Sequence, residues 1–171
     1  MGNELINTLL TFFQDNGHLA IFFSSMFPIT ELRGSVPFGI LVLGLGWVSV
    51  FLLSLLGNFL ICIPVLYLLK HIDKAMRKNK HTDRLIQAIF RRTRSKSKMI
   101  QSYKYYGLML FVAIPFPLTG AWTGCLASYL LDLDKRKSLL FIIAGLAISC
   151  TVMTLITLFF DQMLVYTGYS R

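Results

Sequence analysis

The chain has 171 residues, 55% of them apolar, with a mean hydropathy of +0.63 and a net charge of +9 although only 15% of residues are charged. The charges are gathered into a few places, leaving Gly34–Leu69, Tyr105–Leu131 and Ser138–Phe160 without one Asp, Glu, Lys or Arg. Runs of about 20 apolar residues cross a bilayer as helices, and none of these carries the polar stripe of period about 3.6 that a soluble bundle needs; the composition excludes an ordinary soluble domain and predicts an all-α integral membrane protein.

In chain order, residues 1–16 place Leu5, Ile6, Leu9, Leu10, Phe12 and Phe13 at the spacing of a short interfacial helix. With Glu4 and Asp15 but no Lys or Arg, this stretch does not read as a signal peptide. Residues 17–69 read as a hairpin followed by a spanning helix. His18–Thr30 and Gly34–Gly46 flank Glu31 and Arg33, and the second limb opens on a helix-breaking Gly-Ser-Val-Pro. Each limb reaches roughly 20 Å into a core of about 30 Å. Trp47–Leu69 is then a full span, with a kink expected at Pro64.

Residues 70–104 hold twelve basic and two acidic side chains, the mark of a cytoplasmic loop. Thr82 and Asp83 cap a candidate helix whose Arg84, Arg91, Arg92 and Arg94 suit an anionic lipid surface. Because topology alone accounts for these charges, no nucleic-acid partner is assigned. Residues 105–160 repeat the first plan: Tyr105–Ile114, a break at Pro115 and Pro117, a second limb from Trp122 to Leu131, and the span Ser138–Phe160. Residues 161–171 form a tail.

FPIT at 27–30 returns as FPLT at 116–119, 89 residues later, each copy interrupting an apolar run. With breaks at Pro28, Pro37, Pro115 and Pro117, the expected fold is an inverted repeat of two re-entrant helical hairpins, each followed by a transmembrane helix. If residues 105–131 dip in and return, the basic clusters at 70–104 and 135–137 share the cytoplasmic side and both termini lie outside. The alternative is two continuous, proline-kinked helices.

Broken backbone at membrane depth must be buried in protein or line a wet cavity. Two such breaks meeting at a pseudo-twofold axis predict a central polar chamber. Arg33 offers a fork of donors matched to phosphate or carboxylate. Thr30, Gly34, Thr119, Gly120, Trp122 and Thr123 are candidate lining residues, and half-helix N-termini near Gly34–Pro37 and Gly120–Trp122 would favour an anion. Glu31 is the candidate proton carrier, since burial and a neighbouring cation pull its titration in opposite directions. The plainer alternatives are that Glu31 and Arg33 neutralise each other as structure and that the threonines and glycines form turns. Cys62, Cys125 and Cys150 read as packing residues, and His18, His71 and His81 have no metal-ligand spacing. No metal or cofactor is assigned, and no nucleophile–base set marks an enzyme.

ELRGSVPFGI at 31–40 together with IPFPLTGAWTG at 114–124 resembles the motif pair of the small multidrug export protein family, itself similar to the wider DedA superfamily of SNARE-associated, VTT-domain membrane proteins. The resemblance implies tandem re-entrant hairpins in a bacterial cytoplasmic membrane and a flippase for lipid phosphates such as undecaprenyl phosphate, driven by protons. Glu31 and Arg33 take the matching acidic and basic positions. DedA proteins typically carry arginines in the second hairpin, whereas 105–131 here has no charge. The expected partners are membrane lipids, an anionic amphiphile, protons and, given the small size, a second copy in a homodimer. The rivals are a multidrug exporter of cationic amphiphiles, with Glu31 as the binding group, and a non-transporting scaffold.

Overall fold

The computed structural model describes residues 16–76, 98–116 and 119–166, and these are helices and turns without a strand. The helices are α1 (Gly17–Met26), α2 (Glu31–Pro37, running into a π-helical turn at Phe38–Val42), α3 (Trp47–Met76), α4 (Lys98–Ala113), α5 (Ala121–Leu130) and α6 (Lys135–Tyr166). Two are long and apolar enough to cross a bilayer: Trp47–Leu69 within α3, 23 residues, and α6, 32 residues. At about 1.5 Å per residue the shorter covers roughly 35 Å, more than the hydrocarbon core of about 30 Å. The N-terminal interfacial helix, the loop helix bearing Arg84, Arg91, Arg92 and Arg94, Pro117 and the end of the tail lie outside the described residues.

The chain divides into two compact units, Met1–Asn58 with Cys150–Arg171, and Phe59–Ser149. In the first, α1 ends where Pro28 dictates: the residue before a proline is pushed out of the helical region, and Phe27 is extended at φ −78°, ψ 140°. The chain turns through Pro28–Thr30, with the Glu31 amide donating to the Phe27 carbonyl at 2.9 Å, and α2 begins. The chain thus breaks at 27–30, around Pro28 as expected, and the further break expected at Gly34–Pro37 is corrected, because Gly34, Ser35 and Pro37 are all helical. Pro37 lacks only the amide that would bond one turn back. The next turn widens to i+5 spacing, with the Leu43 amide on the Phe38 carbonyl at 3.0 Å, which relieves the ring without ending the helix. Gly44, at φ 64°, then stops it.

The limbs of this first pair are roughly 15 and 18 Å long, and their far ends meet: a Cβ on Gly17 would lie 3.2 Å from Leu45 Cδ1. Against α3 the fit is closer. A Cβ on Gly57 would overlap Ser25 Oγ and the Phe22 carbonyl, and one on Gly39 would lie 2.8 Å from Val50 Cγ2.

The second unit is built by the same rules. α4 is kinked at Lys104, φ 47°, and its second part ends at Ala113, ahead of Pro115. Gly120, extended, precedes α5, so the helix start expected near Gly120–Trp122 is where the chain resumes. Asp134 Oδ1 accepts the Lys137 amide at 2.9 Å, capping α6. Here too the limb ends meet, since the Asp134 amide donates to the Tyr105 hydroxyl at 3.2 Å and Tyr105 stacks on Phe141. A Cβ on Gly145 would lie 2.6 Å from the Met109 carbonyl and 2.9 Å from Val112 Cβ.

The internal contacts of the two units correspond in sequence. Phe22 and Ser25 against Gly57 match Met109 and Val112 against Gly145, displaced by 87 residues on the limb and 88 on the span. Gly39 against Val50 matches the Ser128–Ser138 hydroxyl pair, displaced by 89 and 88.

Candidate functional site

The sharpest difference between the units is charge. In the first, Glu31 is the first residue past the break, held at φ 42° with 7% of its side chain exposed. A left-handed conformation is unusual for a residue with a Cβ, and such strain persists only where surrounding structure imposes it. Its Oε2 lies 3.1 Å from Nη1 of Arg33, whose side chain is 18% exposed. An ion pair buried this far must offset a desolvation penalty of several kcal/mol per charge.

Besides the pair, the first unit buries further polar side chains. The Ser35 hydroxyl donates to Ser54 Oγ at 2.8 Å, both enclosed. Asn58, one turn along α3 from Ser54, is fully buried, as are Thr154 and Thr157 on α6 to within a few per cent. Sequence reasoning missed Ser54, Asn58, Thr154 and Thr157 because each is a lone polar residue in an apolar run. The available signal was spacing, since Ser54 and Asn58 fall four apart on one helix face.

An apolar groove of about 550 Å³ is walled by Leu19, Phe23, Phe27 and Ile29 and reaches Thr30. Thr30 thus lines the groove and immediately precedes Glu31. Its hydroxyl donates to the Ser24 carbonyl, and its own carbonyl accepts the Gly34 amide at 2.7 Å. Gly34 is half-buried, with Thr30 Cβ 3.3 Å from where its Cβ would stand.

The candidate residues of the second unit are arranged around its own break. The Thr119 hydroxyl lies 2.9 and 2.7 Å from the Ile114 and Phe116 carbonyls, and Thr123 donates to the Gly120 carbonyl at 3.2 Å. All three threonine hydroxyls therefore close turns of local backbone, as the turn-forming alternative expects. Gly120 is buried and Trp122 half-buried, while Pro28 is exposed and Pro115 sits in the second break. Thr30, Glu31, Arg33 and Gly34 belong to one unit, and Thr119, Gly120, Trp122 and Thr123 to the other. Cys62, Cys125 and Cys150 form no disulfide and are buried; Cys125 points its thiol at the Cys62 carbonyl at 3.9 Å, a packing arrangement. Among the described residues no three metal-ligating side chains come together.

The family model described as Putative small multi-drug export protein matches residues 31–152, from Glu31, just past the first break, through the second break and well into α6. The chain belongs to this family. No curated protein and no solved structure matches it. In this small multi-drug export protein the family match takes in the buried Glu31–Arg33 pair, whereas the groove residues, which end at Thr30, precede it.

Proposed function

We propose that this chain is a carrier in the bacterial cytoplasmic membrane that moves an anionic amphiphile, a lipid phosphate of the undecaprenyl phosphate kind, with Arg33 holding the head and Glu31 relaying a proton. The observation that carries this reading is a buried ion pair that begins one residue after Thr30, the last residue lining the apolar groove. Of the two charges, Arg33 is the more accessible, so an arriving anion competes with Glu31 for the guanidinium, whose remaining donors suit a phosphate. Glu31, separated from its cation in a poorly hydrated setting, takes a proton, and substrate release returns it to Arg33. No covalent chemistry is needed, and the chain acts as a transporter rather than an enzyme.

The topology that goes with this reading is two re-entrant hairpins related as an inverted repeat, with the loop at 70–104 cytoplasmic, both termini outside and two chains forming a homodimer. It is supported by limb ends that meet, by limbs about half a bilayer long, by contacts recurring at offsets of 87 to 89 residues, and by basic residues at both 70–104 and 135–137. A second reading, export of cationic amphiphiles, is favoured by the family's description; Glu31 would then bind the cargo and Arg33 would be the partner displaced.

Transport into proteoliposomes separates them. The lipid-phosphate reading expects Arg33→Ala to abolish phosphate-lipid movement and Glu31→Gln to uncouple it from a proton gradient. Drug efflux lost in Glu31→Gln while phosphate-lipid movement persists would transfer the assignment to the exporter, and no transport by any form would leave a scaffold.

A further inference from the structure

Where α5 turns into α6, a second cavity of about 490 Å³ is lined by Leu66, Ser128, Tyr129, Asp132, Leu133 and Lys135. We propose that it is a headgroup site for a phospholipid carrying a primary amine, the lipid phosphate resting on Lys135 and the ammonium on Asp132. The site goes beyond the transport reading and shares no residue with it.

Its level in the membrane follows from the helices that build it. Tyr67 stands near the end of the apolar stretch of α3, and Lys135 opens α6; the ammonium of Lys135 lies over the Tyr67 ring, 4.9 Å from its centroid. Two spans thus end at the same place. Tyr105 and Tyr106 flank Phe141 there, and Tyr129 lines the cavity, so four of the seven tyrosines collect at this end as an interfacial belt.

The two charges are present without a structural duty to each other. α6 is already capped by Asp134, which leaves Asp132 spare. Asp132 is set in a left-handed turn at φ 50° by its amide on the Tyr129 carbonyl, 3.2 Å, which leaves the carboxylate exposed. Among the described residues neither Asp132 nor Lys135 has an ion-pair partner. An anionic head would meet Asp132 and a purely cationic one Lys135, whereas a zwitterion with phosphate and N–H donors satisfies both. Leu66 and Leu133 give an apolar wall for the glycerol end of the lipid, and Ser128, spent on Ser138 at 2.7 Å, closes the side. The volume is of the order of a small-molecule site, about 300–1,000 Å³.

Native mass spectrometry of the purified full chain tests the site, with phosphatidylethanolamine, phosphatidylglycerol and phosphatidylcholine offered in equal amounts. The expected result is retention of phosphatidylethanolamine above the other two, reduced about fivefold by Asp132→Asn, with phosphatidylglycerol retention undiminished, and retention of all three reduced by Lys135→Gln. Equal retention of phosphatidylglycerol by the wild-type chain, or unchanged retention in both variants, would overturn the proposal, and the wild-type comparison stands even if a variant fails to fold. Displacement of the lipid by soluble phosphoethanolamine at matching concentration would overturn the assignment to a lipid. The readout is binding at Lys135 and Asp132, so its failure leaves transport through Glu31 and Arg33 to be judged separately.

Discussion

Substituting alanine for Gly57 or Gly145 tests how each pair of limbs is held to its span. At Gly145 the added Cβ would stand 2.6 Å from the Met109 carbonyl and 2.9 Å from Val112 Cβ, and at Gly57 it would overlap Ser25 Oγ and the Phe22 carbonyl. In both cases one obstacle is backbone, which yields only if the whole limb shifts. Overpacking of this kind costs about 1–3 kcal/mol, while alanine regains up to about 1 kcal/mol of helix propensity over glycine. With a backbone atom 2.6 Å away or closer the upper end of that cost applies, so the net loss is about 2 kcal/mol, a fall of roughly 4–8 °C in the melting temperature for a chain of this size. Gly46, where the nearest atom is 3.9 Å away, is the control and should be neutral. Detergent-solubilised protein followed by far-UV circular dichroism gives the comparison. Melting of Gly57→Ala and Gly145→Ala at the wild-type temperature would refute the close approach of limb and span.

The Ser35–Ser54 bond should show a coupling of about 0.6 kcal/mol in a double-mutant cycle, as interhelical hydroxyl pairs in membrane proteins do, with Ser35→Ala alone costing more than the double variant because it leaves a buried hydroxyl unserved. In a background with the three native cysteines replaced, single cysteines at Ser95 and Arg136 should react with an impermeant thiol reagent from the same face and one at Thr8 from the opposite face. Reaction of the Arg136 position from the side opposite Ser95 would require residues 105–131 to pass straight through.

Where the chain breaks was legible wherever proline acts on its neighbour. Pro28 and Pro115 each end a helix one or two residues ahead, and Tyr105 as the start of a limb follows from the charge at Lys104. Gly34-Ser35-Val36-Pro37 misled because glycine and proline lower helix propensity without forbidding it. In a seven-residue helix continued by a turn that packs through Gly39 on Val50, tertiary contact outweighs about 1 kcal/mol of glycine cost, and the widened turn takes up the proline. Glu31 and Arg33 were legible as lone charges between two apolar runs. Asn58 and Thr154 were not, since hydropathy averages one polar residue into its apolar neighbours and only packing shows which way it faces.

Whether the Glu31–Arg33 pair serves stability or function is decided by removing both charges together. Taking either partner alone strands a buried charge and costs about 3–5 kcal/mol whatever the pair is for, so single variants that melt early say nothing about purpose. Exchanging both for apolar side chains of similar size, Glu31→Leu with Arg33→Met, removes two desolvation penalties at once, and such exchanges in other proteins are neutral or stabilising by about 1–4 kcal/mol. The left-handed backbone at Glu31, φ 42°, survives the exchange and contributes no difference. A pair kept for transport therefore predicts a double variant at least as stable as the natural chain and unable to move its cargo. A pair kept for structure predicts the reverse, a lower melting temperature with transport retained in the fraction that folds, and that outcome would remove Arg33 as the binding group.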